Sequence, residues 1–270
     1  MKTIHRLARK LLTSAIVLSV VGLAAQAMAD SVVAKVIGVK GAARCSINNK
    51  DWKNVNVGDV LKPGTVIQTA EKSHVDIQLG VNESGGVKPI SNSGASGSGL
   101  YDPEEQTGNV VRLSESSVLS LDKLTSSQTG ADAVEETQLD LRAGRIMGNV
   151  KKLSAASKYE VKIPNGVAGI RGTIYLISSS GFVQVLAGSV VVAVVGADGS
   201  VVTQVIGPWH QYDPTTGSIT EIPPGQRGDL IHEANDLHHG QTPPTSYPLD
   251  HTIVYVTPTD GNGQGQNNNK

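Results

Sequence analysis

Apolar and polar residues alternate over several stretches in the middle of the chain. The clearest are 73–79, 138–143 and 158–163, where an aliphatic or aromatic side chain stands at every second position. A period of two predicts a strand with one buried face and one solvated face. In the first stretch, the side chains that we expect to face solvent are His74, Asp76 and Gln78.

Runs of β-branched residues between turn signals predict further strands. These candidates are 32–39, 113–121, 173–178, 182–186, 190–195, 201–206 and 218–222. The run 190–195 is apolar at every position, which predicts a strand buried on both faces. No long helical pattern precedes residue 225, so the sequence predicts an all-β single domain of short, mostly antiparallel strands. Both a rolled or solenoid-like wrap and a sandwich or barrel fit this spacing.

One long segment breaks the strand pattern. Residues 83–109 are rich in glycine and serine and show no apolar periodicity. Such a composition buries too little surface to offset chain entropy, so we expect a flexible insertion within a β domain that spans 30–224.

The C-terminal part, 225–270, differs from the β domain. Residues 229–239 predict a short helix that is capped by Asp229 and ends at Gly240. Its apolar face is expected to consist of Leu230, Ala234 and Leu237. A Pro-rich stretch, a strand-like stretch at 252–256 and a Gly/Gln/Asn tail follow, and we expect this extension to be partly disordered.

Residues 1–29 have the order of a secretory signal. A positively charged start is followed by an apolar run at 11–25 and by Ala27-Met28-Ala29, which predicts cleavage before Asp30. The run is shorter than the roughly 20 residues of a membrane span, so we expect no span after cleavage. The protein is therefore expected to be exported, to the periplasm, the cell surface or the medium.

Charge and cysteine content narrow the choice of function. Residues 1–29 contain four of the 23 basic residues and none of the 24 acidic ones, which leaves 19 against 24 and a net charge of −5. A mildly acidic chain without a basic cluster argues against binding to nucleic acid or anionic lipid. Cys45 is the single cysteine, so no disulfide forms within the chain, and we interpret it as a small apolar filler.

Several short motifs follow one another in a characteristic order. They contain Trp52, Gly58, Asp59, Gly64, Thr69, Gly144, Gly169, Arg171, Gly172 and Thr173. Together with their neighbours, over about residues 38–208, they resemble the FecR-type domain family. The most specific part is Pro164-Asn165-Gly166 followed by Gly169-Ile170-Arg171-Gly172-Thr173.

The resemblance implies an exported β domain used for sensing and protein contact. FecR regulators proper also carry a cytoplasmic helical segment, which engages a sigma factor, and a membrane span. We expect neither in a chain whose signal begins at residue 1, so the resemblance does not carry sigma-factor regulation over to this protein. The insertion 83–109 is a second departure, because the family has a tight turn there.

The glycine-rich part of these motifs does not predict a nucleotide site. A phosphate-binding loop needs Gly-x-x-x-x-Gly-Lys before a helix, whereas here Arg171 replaces lysine and a strand follows. We interpret Gly169 and Gly172 as residues with unusual backbone dihedrals at the entry to a strand. Arg171 is expected to bind backbone carbonyls or a carboxylate inside the domain, so that its loss would lower the melting temperature.

Catalytic and metal sites are weakly indicated. No Gly-x-Ser-x-Gly elbow occurs, and many of the serines lie in the insertion. The one metal-like cluster lacks the His-x-x-x-His spacing that places two ligands on one helix face. It consists of His232, Glu233, Asp236, His238 and His239. We therefore expect no catalytic residues, no metal and no cofactor.

Two functions fit these observations. The first is a non-enzymatic binding or assembly module of the cell envelope, with a protein partner that contacts exposed strand edges or the insertion. The second is an accessory sensor in transmembrane signalling that acts through a separate membrane partner. An envelope hydrolase or metalloenzyme is a third, weaker hypothesis.

Overall fold

A computed structural model of the chain describes residues 30–47, 49–81, 109–129, 132–196 and 199–238. The expected signal, most of the insertion, residues 239–240 of the expected helix and the tail lie outside these ranges. Residue 109, which we assigned to the insertion, is the first residue of a strand.

Strands dominate the described residues, and a single helix follows them. The first nine strands are β1 (Asp30–Ser31), β2 (Val33–Lys40), β3 (Ala43–Ile47), β4 (Lys53–Asn54), β5 (Val60–Leu61), β6 (Thr65–Thr69), β7 (His74–Val81), β8 (Asn109–Leu113) and β9 (Val118–Thr129). The others are β10 (Asp132–Ala143), β11 (Arg145–Val150), β12 (Lys158–Ile163), β13 (Gly166–Ser178), β14 (Val183–Val195), β15 (Val201–Ile206), β16 (His210–Asp213) and β17 (Ser218–Glu221), followed by α1 (Pro224–His238). The all-β prediction with a short C-terminal helix is confirmed.

The strands form one hydrogen-bonded network that curls into a half-barrel and has two halves. The front half runs in the order β4, β3, β6, β9, β10, β12, β13, β14, β15. The back half runs in the order β5, β2, β7, β8, β11, β13, β14, β16, β17. Pairing is antiparallel except between β10 and β12, so the prediction of mostly antiparallel, rolled strands is confirmed.

The two halves share the long hairpin β13–β14. The first part of β13 pairs with β12 in the front half, and its last part pairs with β11 in the back half. Register shifts interrupt the β13–β14 ladder between Arg171 and Ile174 and again before Tyr175. The two strands therefore bend together from one half to the other.

An aliphatic core fills the inside of the curl. Alternate residues of nearly all longer strands point into it, among them Val75, Ile77, Leu139 and Leu141. Cys45 belongs to this core, and burial raises the pKa of its thiol, so its prediction as a small apolar filler is confirmed.

A second, smaller core joins α1 to the outer face of the back half. Leu230, Ala234 and Leu237 pack there against side chains that include Met147 and Leu186. The predicted apolar face of the helix is confirmed, but its start is wrong. The helix begins at Pro224, where proline suits the first turn, so Asp229 lies inside the helix and does not cap it.

Four strand predictions are wrong in their bounds. The stretch 113–121 contains two strands with a turn between them, in which Ser116 adopts a positive φ of 50°. The stretches 182–186 and 190–195 are parts of β14, which continues through a bend at Gly188. The strand at 173–178 begins earlier, at Gly166. A local turn signal does not distinguish a chain reversal from a bend inside a strand.

The prediction that 190–195 is buried on both faces is also wrong. Val190, Val192 and Val194 are buried, whereas Val191 and Val195 are 44% and 49% exposed. The outer face of β15 and of the second part of β14 is therefore mostly apolar, and no described residue covers it.

None of the helices within the described ranges is long and apolar enough to cross a bilayer.

Candidate functional site

The most specific motif lies at the bend of the β13–β14 hairpin. Gly172 has a φ of 64° and Gly188, in the neighbouring strand, a φ of 78°, a region that side chains avoid. A Cβ on Gly188 would collide with the carbonyl of Gly172, so the two backbones approach closely there. The Thr173 hydroxyl donates to the Ser189 carbonyl at 2.9 Å and fixes the bend. The predicted unusual dihedral is confirmed for Gly172.

The predicted roles of Gly169 and Arg171 are wrong. Gly169 lies in regular ladder, opposite Glu160 on one side and Val191 on the other, without a positive φ. The Arg171 side chain is exposed, and it forms no hydrogen bond or ion pair with any residue that the structure describes. Alternation explains this position: Ile170 is buried, so its neighbour points outward.

The earlier motif glycines shape turns. Gly58 has a φ of 93° and donates its N–H to the Val36 carbonyl at 2.8 Å. The carboxylate of Asp59 accepts the Asn56 N–H at 3.0 Å within the same turn. Gly64 has a φ of 88° and donates to the Leu121 carbonyl at 2.6 Å. These turns hold the short strand β5 between β2 and the front half.

Thr69 and Gly144 meet at the turn that connects β8 and β9. The Thr69 hydroxyl is fully buried, donates to the Ser114 carbonyl at 2.5 Å and accepts the Ser117 N–H at 3.0 Å. The Ser117 hydroxyl accepts the Arg145 N–H at 3.0 Å, and a Cβ on Gly144 would occupy its place. The remaining motif residue, Trp52, is half-buried under the Arg44 guanidinium, 4.6 Å from its ring centre. The motif residues are thus distributed over several turns and do not form one site.

A polar cleft lies between α1 and one end of the back half. Its volume is about 540 Å³, and its walls carry cations and anions together with serine and histidine side chains. The lining residues are Lys40, Lys72, Ser73, His74, Arg112, Ser114, Glu115, Arg145, Asp229, His232, Glu233 and Asp236.

A buried ion pair forms part of the wall of this cleft. Arg112 on β8 lies opposite Asp76 on β7, and its guanidinium donates to both carboxylate oxygens, at 2.7 and 2.8 Å. Both side chains are almost completely buried, so the prediction that Asp76 faces solvent is wrong. A bidentate geometry of this kind is the strong form of the arginine–carboxylate pair.

Electrostatic interactions extend from this pair to the helix. Burial alone would lower the pKa of Arg112, but the hydrogen bonds and charge of Asp76 outweigh it and the pKa is raised. The carboxylates of Glu233 and Asp236 on α1 contribute to this rise. Glu233 and Asp236 therefore carry the charge of α1 that complements the cation beneath it.

The cleft does not assemble a recognisable catalytic group. The Ser73 hydroxyl accepts the Ala42 N–H at 2.9 Å and donates to the Glu71 carbonyl at 3.0 Å, so both bonds are structural. His232 lies 3.3 Å from Asp236 on the exposed side of the helix. Across the described ranges, no three His, Cys, Asp or Glu side chains come close enough together to hold a metal ion.

Sequence reasoning also missed a buried tyrosine pair. The Tyr159 and Tyr175 hydroxyls lie 3.2 Å apart inside the main core, and burial raises the pKa of both phenols. Gly148 provides the space for Tyr175, because a Cβ there would collide with the ring. Two core phenols that bind one another remain neutral and serve packing. No local pattern in the sequence pairs these two residues, which belong to different strands.

Comparison with known proteins supports the resemblance noted from the motifs. A family model described as "FecR protein" matches residues 105–196, which include β8 to β14 and the bend at Gly172. No curated protein matches the chain. Two crystal structures of a candidate anti-sigma factor from Parabacteroides distasonis ATCC 8503 are similar at 15% identity, with TM-scores of 0.37 and 0.36. The similarity spans 58% of this chain and 58% of that protein, so it covers less than two thirds of either.

Proposed function

We propose that this chain, which carries a stretch of the FecR protein type at residues 105–196, is a non-enzymatic sensor and binding module in signalling at the cell envelope. The observation that supports the proposal most strongly is that match, because it includes the bend at Gly172 and most of the shared hairpin. The motif residues Gly58, Gly64, Thr69, Gly172 and Thr173 shape turns and bends, so the match supports the fold of the module and assigns them no chemical role.

The cleft beside α1 is the surface through which we expect a partner to bind. Its walls combine Lys40, Lys72 and Arg145 with Glu115 and Glu233, so they suit a polar segment that carries both charges. An apolar small molecule would find few partners there. A ligand that displaced the acidic side of α1 would also remove the carboxylates that complement Arg112, which couples binding to the position of the helix.

Export is part of this proposal. The charged start, apolar run and Ala-Met-Ala of residues 1–29 support a cleaved secretory signal. Intact-mass measurement on protein purified from the envelope and periplasm should give a chain that begins at Asp30. A mass that retains residues 1–29 would contradict cleavage, and recovery in the cytoplasm alone would contradict export.

Site-specific photo-crosslinking in the native organism tests the proposed surface. A crosslinking residue at Lys72 or Glu233 places the probe in the cleft, whereas one at the exposed Lys123 places it on the outer face of the front half. We expect the two cleft probes to capture the same envelope protein and the Lys123 probe to miss it. Equal capture from all three positions would contradict a binding role for the cleft.

A transcript measurement distinguishes signalling from passive assembly. Replacement of Glu233 and Asp236 by lysine reverses the charge that α1 presents to the cleft. A signalling role predicts a change in the transcripts that respond to deletion of the protein, at unchanged protein level. Unchanged transcripts together with loss of the crosslinked complex would instead support a scaffold.

A further inference from the structure

The last strand of the front half, β15, is an edge strand among the residues that the structure describes. In the part of the chain that the structure describes, it pairs with β14 and with no other strand. Its sequence, Val-Val-Thr-Gln-Val-Ile, contains no charge, proline or glycine. Soluble proteins normally protect such edges with lysine, proline or a bulge, because a free edge recruits another strand. An edge without these features is a candidate for strand pairing with a partner.

The hydrogen bonds of β14 show which groups of β15 face outward. The Val195 N–H donates to the Asn165 carbonyl at 2.8 Å, on the side away from β15. Because bonding direction alternates along an antiparallel strand, the residue opposite Val195, which is Val201, directs its N–H and C=O to the free edge. Thr203 and Val205 do the same.

The three residues that direct their backbone groups to the free edge form a palindromic sequence pattern. Val201, Thr203 and Val205 form a Val-x-Thr-x-Val pattern that is symmetric about Thr203. An antiparallel copy related by a twofold axis at Thr203 would place Val201 opposite Val205 of the second copy and Thr203 opposite its counterpart. About six backbone hydrogen bonds would form, and valine–valine and threonine–threonine pairs are favourable cross-strand neighbours.

The outer face beside this edge is also compatible with a second copy of the chain as the partner. Val201 and Val205 are 66% and 63% exposed, and they lie across from the exposed Val195 and Val191 of β14. All four side chains are on the outer face, so pairing two edges would extend this valine surface without opposing any like charges. The uncharged, apolar edge offers no ion-pairing group to a charged partner segment.

We propose that β15 is the interface for a second copy of this chain, through antiparallel edge-to-edge pairing centred on Thr203. The contact is small, in the class below about 1,200 Å² of total buried surface that is typical of weak and reversible association. Dimerisation should therefore appear at protein concentrations on the order of tens of micromolar. The surface lies on the front half, whereas the cleft lies on the back half, so the two can be tested separately.

A charge-pattern experiment on the mature full-length chain tests both the surface and its register. Val201→Lys with Val205→Lys places lysines opposite lysines in the proposed dimer. Val201→Lys with Val205→Glu introduces the same number of charges but places each lysine opposite a glutamate of the other copy. Val57→Lys, at a valine that is 57% exposed in a turn, is the matched control.

Sedimentation equilibrium should separate these variants. We expect the wild type and Val57→Lys to dimerise alike, the Lys/Lys variant to dissociate at least about tenfold more readily, and the Lys/Glu variant to recover most of that loss at low salt. Amide exchange in the wild type should slow with protein concentration at Val201, Thr203 and Val205. Circular dichroism checks that each variant is folded.

Several outcomes would overturn the proposal. A wild type that stays monomeric to about 200 μM, ten times the expected range, excludes a second copy as the occupant. Equal association of the Lys/Lys and Lys/Glu variants excludes this register. Val254→Pro lies in the strand-like stretch at 252–256. If it abolishes the slow amide exchange of β15 without changing the molecular mass in solution, the occupant of the edge is the chain's own C-terminal segment.

Discussion

The outer face of the curled sheet is covered in one region and exposed in another. The outer face of the back half carries the buried polar pair Asp76–Arg112 beside apolar side chains such as Val110 and Met147, and α1 packs on these apolar side chains. The outer face of β15 and of the second part of β14 carries mostly valines, and no described residue covers it. Residue polarity alone would predict the reverse, a wet face at β7 and a covered one at β14.

This difference shows what an alternating pattern of apolar and polar residues can and cannot specify. A period of two determines which side chains share a face, and that prediction holds for β7, β10 and β12. It does not determine what lies on top of that face. For the back half the cover is α1, which begins at Pro224 and packs on β8 and β11, and its position is visible only after folding.

The largest effect on stability should come from removing the buried carboxylate that pairs with Arg112. Asp76→Ala leaves the buried Arg112 without its partner, and we expect a loss of about 3–5 kcal/mol in the free energy of unfolding, measured by urea titration. Lys123→Ala, which removes one partner of the exposed pair with Glu136, is the control and should cost less than about 1 kcal/mol. Similar costs for the two variants would mean that water reaches the Asp76 carboxylate.

Weakening the packing of α1 on the sheet should cost less stability. Leu237→Ala removes a buried contact of α1, and we expect about 2–3 kcal/mol of lost stability, at the low end because the helix lies at the periphery. Hydrogen exchange should show amide exchange in α1 rising by roughly 30- to 150-fold while the main core changes little. Ile231→Ala, on the exposed side of the same helix, should change neither quantity appreciably.

A smaller effect is expected where the two halves join. Gly172→Ala places a side chain at a φ of 64°, and we expect a loss of about 1–2 kcal/mol in thermal unfolding. Gly169→Ala lies three residues earlier in regular strand, where a Cβ would make an ordinary contact of 3.8 Å with the Val191 carbonyl, and it should be close to neutral. Equal losses at both glycines would show that the bend does not depend on the left-handed backbone of Gly172.

The smallest effect should be that of Arg171→Ala. Because this side chain is exposed and forms no bond with a described residue, we expect a stability change within about 0.5 kcal/mol. Arg227→Ala is the comparison, since the Arg227 guanidinium donates to the Ile222 carbonyl at 2.8 Å and its loss should cost about 1 kcal/mol. A clear drop in melting temperature for Arg171→Ala would restore the interior role predicted from the motif.

The sequence predicted the fold class because the information needed for it is local. Strand periodicity, turn glycines and the apolar stripe of Leu230, Ala234 and Leu237 all act over a few residues, and these predictions hold. The predicted strand boundaries were wrong where one local signal is compatible with two structures. Gly188 bends one strand instead of separating two, because the neighbouring β13 bends beside it.

The candidate site was harder to predict because its contacts join distant residues. Asp76 and Arg112 are 36 positions apart, with most of the insertion between them, and the acidic residues of α1 lie more than a hundred positions further on. One signal was present in the sequence: Asp76 is the one acidic residue of β7 and Arg112 the one basic residue of β8. Such residues are rarely buried without a partner of opposite charge.

The shared hairpin also has a mechanical consequence. Since β13 and β14 run without interruption from the back half to the front half, neither half can slide along the other without breaking the ladder between these two strands. At the bend, the Thr173–Ser189 hydrogen bond and the close approach of Gly188 to the Gly172 carbonyl hold the backbone angles of the two strands. A displacement of the valine edge would thus be transmitted along this hairpin to the strands beneath the helix.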